Sequence, residues 1–219
     1  MELYSIEMEN VKRRYDSARR RDAAARTRAR MLGAARQQFA EHGYLSTTVE
    51  AIAEAAGVSP QTFYTVFGSK RGVLFALLDE MPAAADPAAL AADLASAPDA
   101  ERQLALLVDY RLRLYAGSLD VLTAVRAAGA QDPDVAALWD EGEERRRRNQ
   151  QKLLSTWHGR GELRPSITRR QADDVLWALT GPDVYRLFVV ERKWSRERFR
   201  EWLVDLLAYE LLKTTSRDP

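Results

Sequence analysis

A chain of 219 residues can bury a substantial core and suits one large or two small domains. It has no cysteine, which excludes disulfides, thiolate nucleophiles and cysteine-ligated metals. Charged residues are abundant but balanced to a formal net charge of +1, so only the distribution of charge can point to a partner.

The first residues, MELYSIEMEN, show no basic segment leading into an apolar one, so a secretory signal is not expected. No apolar run approaches the roughly 20 residues that span a bilayer. The expectation is a soluble, cytoplasmic protein with no membrane partner. Residues 1–25 read as a basic arm. From Val11 to Arg36 the cations include Lys12, Arg13, Arg14, Arg19, Arg20, Arg21, Arg26, Arg28, Arg30 and Arg36, opposed only by Asp16 and Asp22. Such a one-ended concentration is either a solvated tail or the footprint of a phosphate-binding segment, with Arg13 and Arg14 along the backbone or in a minor groove. Thr27 is expected to cap the first long helix, whose inner stripe is Met31, Leu32, Ala35 and Phe39 and which Gly43 ends. Arg28, near that start, is placed to meet a phosphate.

Two short helices follow. Thr47 with Glu50 has the capping-box spacing, and Val49, Ile52, Ala53 and Ala56 recur at the interval of one buried helical face. Gly57 stands where a left-handed residue ends the helix. Ser59 caps the next helix and Pro60 occupies its first position, where a missing N–H costs nothing. Phe63 and Phe67, one turn apart, face inward. Gln61 and Thr65 point the other way, flanked by Thr62 and Tyr64, so the outer face is polar, aromatic and uncharged. A helix of this kind suits the major groove in a helix-turn-helix. Gly68 permits the turn out, Ser69 caps the next helix, and Lys70 in its first turn is read as a phosphate contact. Leu74, Phe75, Leu77, Leu78 and Met81 carry that helix to Pro82.

The stretch GVSPQTFYTVFGSK, preceded by TTVEAIAEAAG, resembles the DNA-binding signature of the TetR family of one-component transcriptional regulators. The resemblance runs from about Thr27 to Leu78. It implies an all-α homodimer, with a three-helix DNA-binding head followed by a helical effector-sensing and dimerisation bundle, and no cofactor. It further implies a repressor released from a pseudo-palindromic double-stranded operator by a small-molecule effector, with the helix after Lys70 transmitting the signal. By this resemblance Thr47, Thr48, Ser59, Pro60, Gln61, Thr62, Tyr64, Thr65 and Lys70 belong to the DNA-binding surface. Many members carry His or Tyr before the second aromatic and use it on the DNA backbone. Here that position is Val66, which is expected to turn to the core.

Pro82, Pro87 and Pro98 punctuate an Ala-rich segment read as a linker, with at most one short helical turn. The expected domains are thus an arm over 1–25, a head over 26–81, a linker over 82–98 and a body over 99–219. Within the body, Leu104, Leu107, Val108, Arg111, Leu112 and Tyr115 predict a helix ending near Gly117. Leu119, Leu122 and Val125 predict another, closing around Gly129. Asp132–Pro133 opens a long helix to about Gly159. Its EGEERRRRNQQK section pairs glutamates with arginines four residues on, and is read as a solvated, self-neutralising face rather than a nucleic-acid patch. Thr168 and Gln171 form a second capping box, Gly181–Pro182 interrupts the helix, and Ser195 caps the last one.

Tyr110, Tyr115, Trp139, Trp177 and Tyr185 are candidates for lining an effector site between helices, with ordinary core packing as the alternative. Asp109, Arg111 and Arg113 are read as a solvated face. The segment VYRLFVVERKWSRERFREWLVDLL resembles the family's dimerisation region, implying Phe188, Phe199, Trp202, Leu206 and Tyr209 at a dimer interface. His42 and His158 are isolated, and no paired-His, nucleophile-elbow, phosphate-loop or dinucleotide motif occurs, so no catalytic residue or metal site is expected. The alternative function is a helical protein-interaction module that binds DNA incidentally.

Overall fold

In a computed structural model the backbone is described for residues 2–213 and side chains for 19–81 and 86–213. Arg13 and Arg14 therefore lie outside the residues whose side chains are described. Two compact units emerge, Met1–Leu77 and Leu78–Pro219.

The first unit contains α1 (Glu2–His42), α2 (Val49–Ala56), α3 (Pro60–Phe67) and the opening turns of α4 (Lys70–Ala85). α1 is 41 residues long, and Thr27 lies inside it rather than capping it. The reason is local: no glycine or proline occurs before Gly33, and Ala, Arg, Glu and Leu favour continued helix. Gly43, at φ +77°, ends α1 as expected, its N–H reaching the Phe39 carbonyl at 3.0 Å. α1 packs on α2 and α2 on α3 around Met31, Leu32, Ala35, Phe39, Ile52, Ala53, Phe63 and Leu74, all buried. Burying Phe63 alone is worth roughly 1.5–3 kcal/mol, enough to fix the facing of so short a helix.

α2 differs from expectation by one residue at its cap. Thr48, not Thr47, accepts the Ala51 N–H at 3.1 Å. Thr47 is only 3% exposed and donates to the carbonyls of Gly43 (2.8 Å) and Gln38 (3.1 Å).

The second unit is a bundle of α5 (Pro87–Ser96), α6 (Ala100–Gly129), α7 (Pro133–Gly159), α8 (Arg169–Leu179), α9 (Pro182–Tyr185) and α10 (Arg196–Leu211), with a π-helical turn over Arg186–Glu191. α6 is its spine, packing on α5, α7, α9 and α10. Two expected helices are here one: α6 passes through Gly117 because its buried stripe continues from Leu112 and Tyr115 to Ser118 and Val121. An interior glycine costs about 1 kcal/mol, less than that stripe gains. The Ala/Pro segment also holds more helix than expected. α4 extends to Ala85, and α5 is ten residues long, with the Asp86 carboxylate accepting the Ala89 N–H at 2.9 Å.

The caps at Asp132, Thr168 and Ser195 form as the sequence indicates, including the reciprocal Thr168–Gln171 box. Gly181–Pro182 separates α8 from α9. A buried relay joins α5, α6 and α7: the Trp157 indole donates to Gln103 at 2.6 Å, and the Gln103 amide donates to the Leu94 carbonyl at 2.7 Å. Among the described residues the sole β pairing is an isolated bridge, Leu163 with Leu212. No helix among them is long and apolar enough to cross a membrane.

Candidate nucleic-acid interface and buried charge centre

α3 is held at both ends. Ser59 Oγ accepts the Thr62 N–H at 3.2 Å, and the two hydroxyls are 2.9 Å apart. At the other end Gly68, at φ +71°, turns the chain. Gly72 then lets α4 approach the end of α3 at backbone distance, since a Cβ there would stand 1.9 Å from the Phe67 carbonyl oxygen. Between these anchors Gln61, Tyr64, Thr65 and Val66 are exposed, and no residue of α3 is charged. The Thr65 hydroxyl donates to the Gln61 carbonyl at 2.8 Å, so it presents outward an acceptor and a methyl group. Val66 is 42% exposed and does not turn to the core. An eight-residue helix packed on one side through Phe63 leaves its neighbour outside.

Thr48 and Pro60 are exposed beside this face, while Thr47 is withdrawn from it by its bonds to the α1 backbone. Lys70 also departs from expectation. Its ammonium donates to the carbonyls of Tyr44 (2.8 Å), Thr47 (2.8 Å) and Leu45 (3.4 Å), and lies 4.5 Å from the centre of the Tyr44 ring. An ammonium has three N–H groups, and all three have carbonyl acceptors here. Desolvation by burial pushes its pKa below the ordinary lysine value. Lys70 thus ties the α1–α2 loop to the start of α4, and could donate to a phosphate only by leaving a carbonyl. The guanidinium of half-buried Arg28 sits 5.4 Å from the centre of the Phe67 ring, joining α1 to the end of α3.

In the second unit, four of the five aromatics expected at a ligand site gather with two arginines that the sequence reading left on a solvated face. Arg146 of α7 is 7% exposed. It binds Glu143 at 2.9 Å, the Trp177 carbonyl, and Thr180 Oγ1 at 3.3 Å. Its guanidinium lies 5.5 Å from the centre of the Trp177 ring, and the Trp177 indole donates to Glu143 at 2.9 Å. From α6, Arg111 lies beside the Tyr115 hydroxyl and 5.8 Å from the centre of the Tyr110 ring. Tyr115 donates to the Thr180 carbonyl at 2.7 Å and stacks on Tyr185 at 5.7 Å. Burial raises the pKa of both tyrosines and lowers that of Arg111. Trp139, half-buried, is not part of these contacts.

The rest of the arginine run divides. Arg148 makes the expected i, i+4 pair with Glu144, but Arg147 reaches across to Asp173 and Asp174 of α8. Asp109 is bound by Arg200 of α10 in a two-pronged pair, which raises the Arg200 pKa.

The residues expected at a dimer interface separate as well. Phe199 is 1% exposed and Phe188 and Trp202 are half-buried, and all three stack within one protomer: Phe188 lies 4.6 Å from Trp202 and 4.7 Å from Trp194. This stack pins the π-helical turn, after which Lys193, at φ +56°, reverses the chain. Phe199 is thereby withdrawn from any interface. Leu206 is half-buried, and the outward apolar side chains of the region are Leu187, Val190 and Tyr209.

Residues 31–77 match the sequence profile of the family described as bacterial regulatory proteins, tetR family. Over 52 residues the chain is 40% identical to the HTH-type transcriptional regulator UidR of Escherichia coli strain K12, covering 24% of this chain and 26% of that relative. The chain thus matches about a quarter of the relative's length. Solved structures share the fold, among them the following two. A putative transcriptional regulator from Saccharomonospora viridis in complex with choline has a TM-score of 0.68 at 23% identity, covering 85% of this chain and 97% of that one. The transcriptional regulator FadR from Bacillus subtilis in complex with stearoyl-CoA has a TM-score of 0.67 at 20% identity, covering 82% and 96%.

Proposed function

We propose that the chain is a member of the tetR family of bacterial regulatory proteins, whose profile its residues 31–77 match, and that it is a non-enzymatic, cytoplasmic transcriptional regulator. It acts as a homodimeric repressor released from a pseudo-palindromic operator by a small molecule. The head over 26–81 carries the DNA reading and the body over 99–219 carries dimerisation and effector sensing, with 82–98 between them.

One observation carries this reading: the outer face of α3 is exposed, uncharged and fixed at both ends by Ser59 and Gly72. Gln61 offers an amide for the N6/N7 edge of adenine. Thr65 and Val66 offer methyl groups to thymine. Tyr64, Thr48 and Arg28 are placed to meet phosphates, with the Ser59 and Thr62 hydroxyls and Pro60 beside them. Lys70 supports this surface from behind rather than touching DNA. The dimer contact falls on the outward apolar side chains Leu187, Val190, Leu206 and Tyr209. The relatives' ligands, choline and stearoyl-CoA, support a body that accommodates small molecules of varied chemistry.

Selection of bound duplexes from a random pool by the full chain at low ionic strength tests the proposal. Two inverted half-sites about one helical turn apart are expected. A pool left unenriched overturns the regulator and leaves the protein-interaction reading.

A further inference from the structure

Among the described residues the buried side-chain polar atoms without a hydrogen-bond partner include two donors, and both belong to the same cluster: Nε of Arg111 and Nε of Arg146. Buried donors are almost always satisfied, and an unsatisfied one on a cation is the costliest kind. The cluster is also short of negative charge. Arg146 has Glu143, whereas Arg111 has only a tyrosine hydroxyl and a tyrosine ring. The carboxylate two residues before it, Asp109, is bound by Arg200. Two guanidinium groups, Arg146 buried and Arg111 half-buried with its Nε out of water, therefore share one carboxylate, where an uncompensated charge is unfavourable. An arrangement so unfavourable for stability, in the part of the chain read as a sensor, is what a preformed anion site looks like before its ligand arrives.

We propose that Arg111 and Arg146 form the recognition site for a small organic carboxylate, which is the effector class of this regulator. The inference rests on reading the body as effector-sensing.

A carboxylate is favoured because the site already holds one. Glu143 docks on Arg146, and the two unsatisfied Nε–H donors suit the oxygens of a second. The surrounding rings of Tyr110, Tyr115, Trp177 and Tyr185 suit an apolar or aromatic body on that acid. Access lies through the two partly exposed members, Glu143 at 25% and Trp177 at 40%. They are joined by one hydrogen bond. Arg146 and Tyr115 both bind the end of α8 at Thr180, just before the Gly181–Pro182 break. An anion drawn between the two arginines therefore acts on that break first.

The test is thermal unfolding of the full-length protein with benzoate, phenylacetate and octanoate, each against its neutral amide, and with choline as a cation. At least one carboxylate is expected to raise Tm by about 3 °C or more at saturating concentration, with its amide and choline inactive. Arg111→Met is expected to abolish that shift and to raise the Tm of the unliganded protein, because it removes a half-buried charge that has no carboxylate partner. A structural arginine gives the reverse, a fall in Tm. The inference is overturned if no carboxylate stabilises the wild type, if the amides act equally, if the shift survives Arg111→Met, or if Arg111→Met lowers the unliganded Tm. Measuring duplex binding alongside separates the two readings. A carboxylate that stabilises the protein without releasing the duplex supports the site and overturns its assignment as the effector site. Duplex binding with no carboxylate stabilisation overturns the site and leaves the regulator standing.

Discussion

In the N-terminal unit, Thr47 and Lys70 leave water by bonding the chain's own carbonyls, at Gln38, Gly43, Tyr44, Leu45 and Thr47. In the C-terminal unit, Arg146, Gln150 and Asp173 leave water largely by bonding groups on neighbouring helices, and two guanidinium Nε atoms find no acceptor. The first arrangement fixes a short helix and its loop in one geometry, as suits the proposed fit to a groove. The second leaves a charge centre with two unsatisfied donors, as suits the proposed sensor. The difference teaches that rigidity here comes from side chains closing on local backbone, and responsiveness from charges that the bundle does not fully pair.

The strongest way to break the comparison is at Gly72. Because a Cβ would meet the Phe67 carbonyl oxygen, Gly72→Ala is expected to destabilise the head by about 3 kcal/mol or more, with loss of duplex binding. Urea denaturation followed by far-UV circular dichroism reads the loss of helix. The tryptophans, all at position 139 or beyond, report the body separately by fluorescence. An unchanged denaturation profile would mean that α3 and α4 have room to spare and that the head is not fixed as described.

Lys70→Met should cost about 2 kcal/mol, from the lost charged hydrogen bonds to the loop. It should weaken binding of all duplexes while leaving the salt dependence of binding unchanged. A flatter salt slope would return Lys70 to the phosphates and remove the contrast between the two units at this residue. Smaller still, Thr48→Ala should lower head stability by about 1 kcal/mol through loss of the α2 cap. A loss of only a few tenths would mean that the cap contributes little to fixing the helix-turn-helix.

What the sequence made legible follows the same division. Gly57, Ser59, Pro60, Asp132, Thr168 with Gln171, and Ser195 act on backbone within a few residues, so their roles were readable from spacing alone. Thr47 and Thr48 were confused because adjacent hydroxyls both satisfy the local cap pattern, and only the packing of α1 decides which one is buried. Gly117 has the look of a stop, although the apolar stripe on either side continues through it. The arginines were missed for a more basic reason. An i, i+4 charge pattern describes a helix in water, and the packing of α6, α7 and α8 takes one arginine of the run out of water. A signal was present nonetheless. Arg111 sits four residues from both Leu107 and Tyr115, which are buried, and Arg146 shares the Gln150–Leu154–Trp157 spacing of the buried stripe of α7. Least legible is which apolar surface the protomer keeps for itself, as Phe199, 1% exposed, shows.

The central claim is that α3 reads base edges through Gln61. Its most direct test is titration of the full chain and of Gln61→Ala against the selected duplex and against the same duplex with one adenine of each half-site replaced. The wild type should prefer the selected duplex by about tenfold or more. Gln61→Ala should lose that preference while keeping wild-type stability and salt dependence. A preference that survives Gln61→Ala intact would contradict the claim.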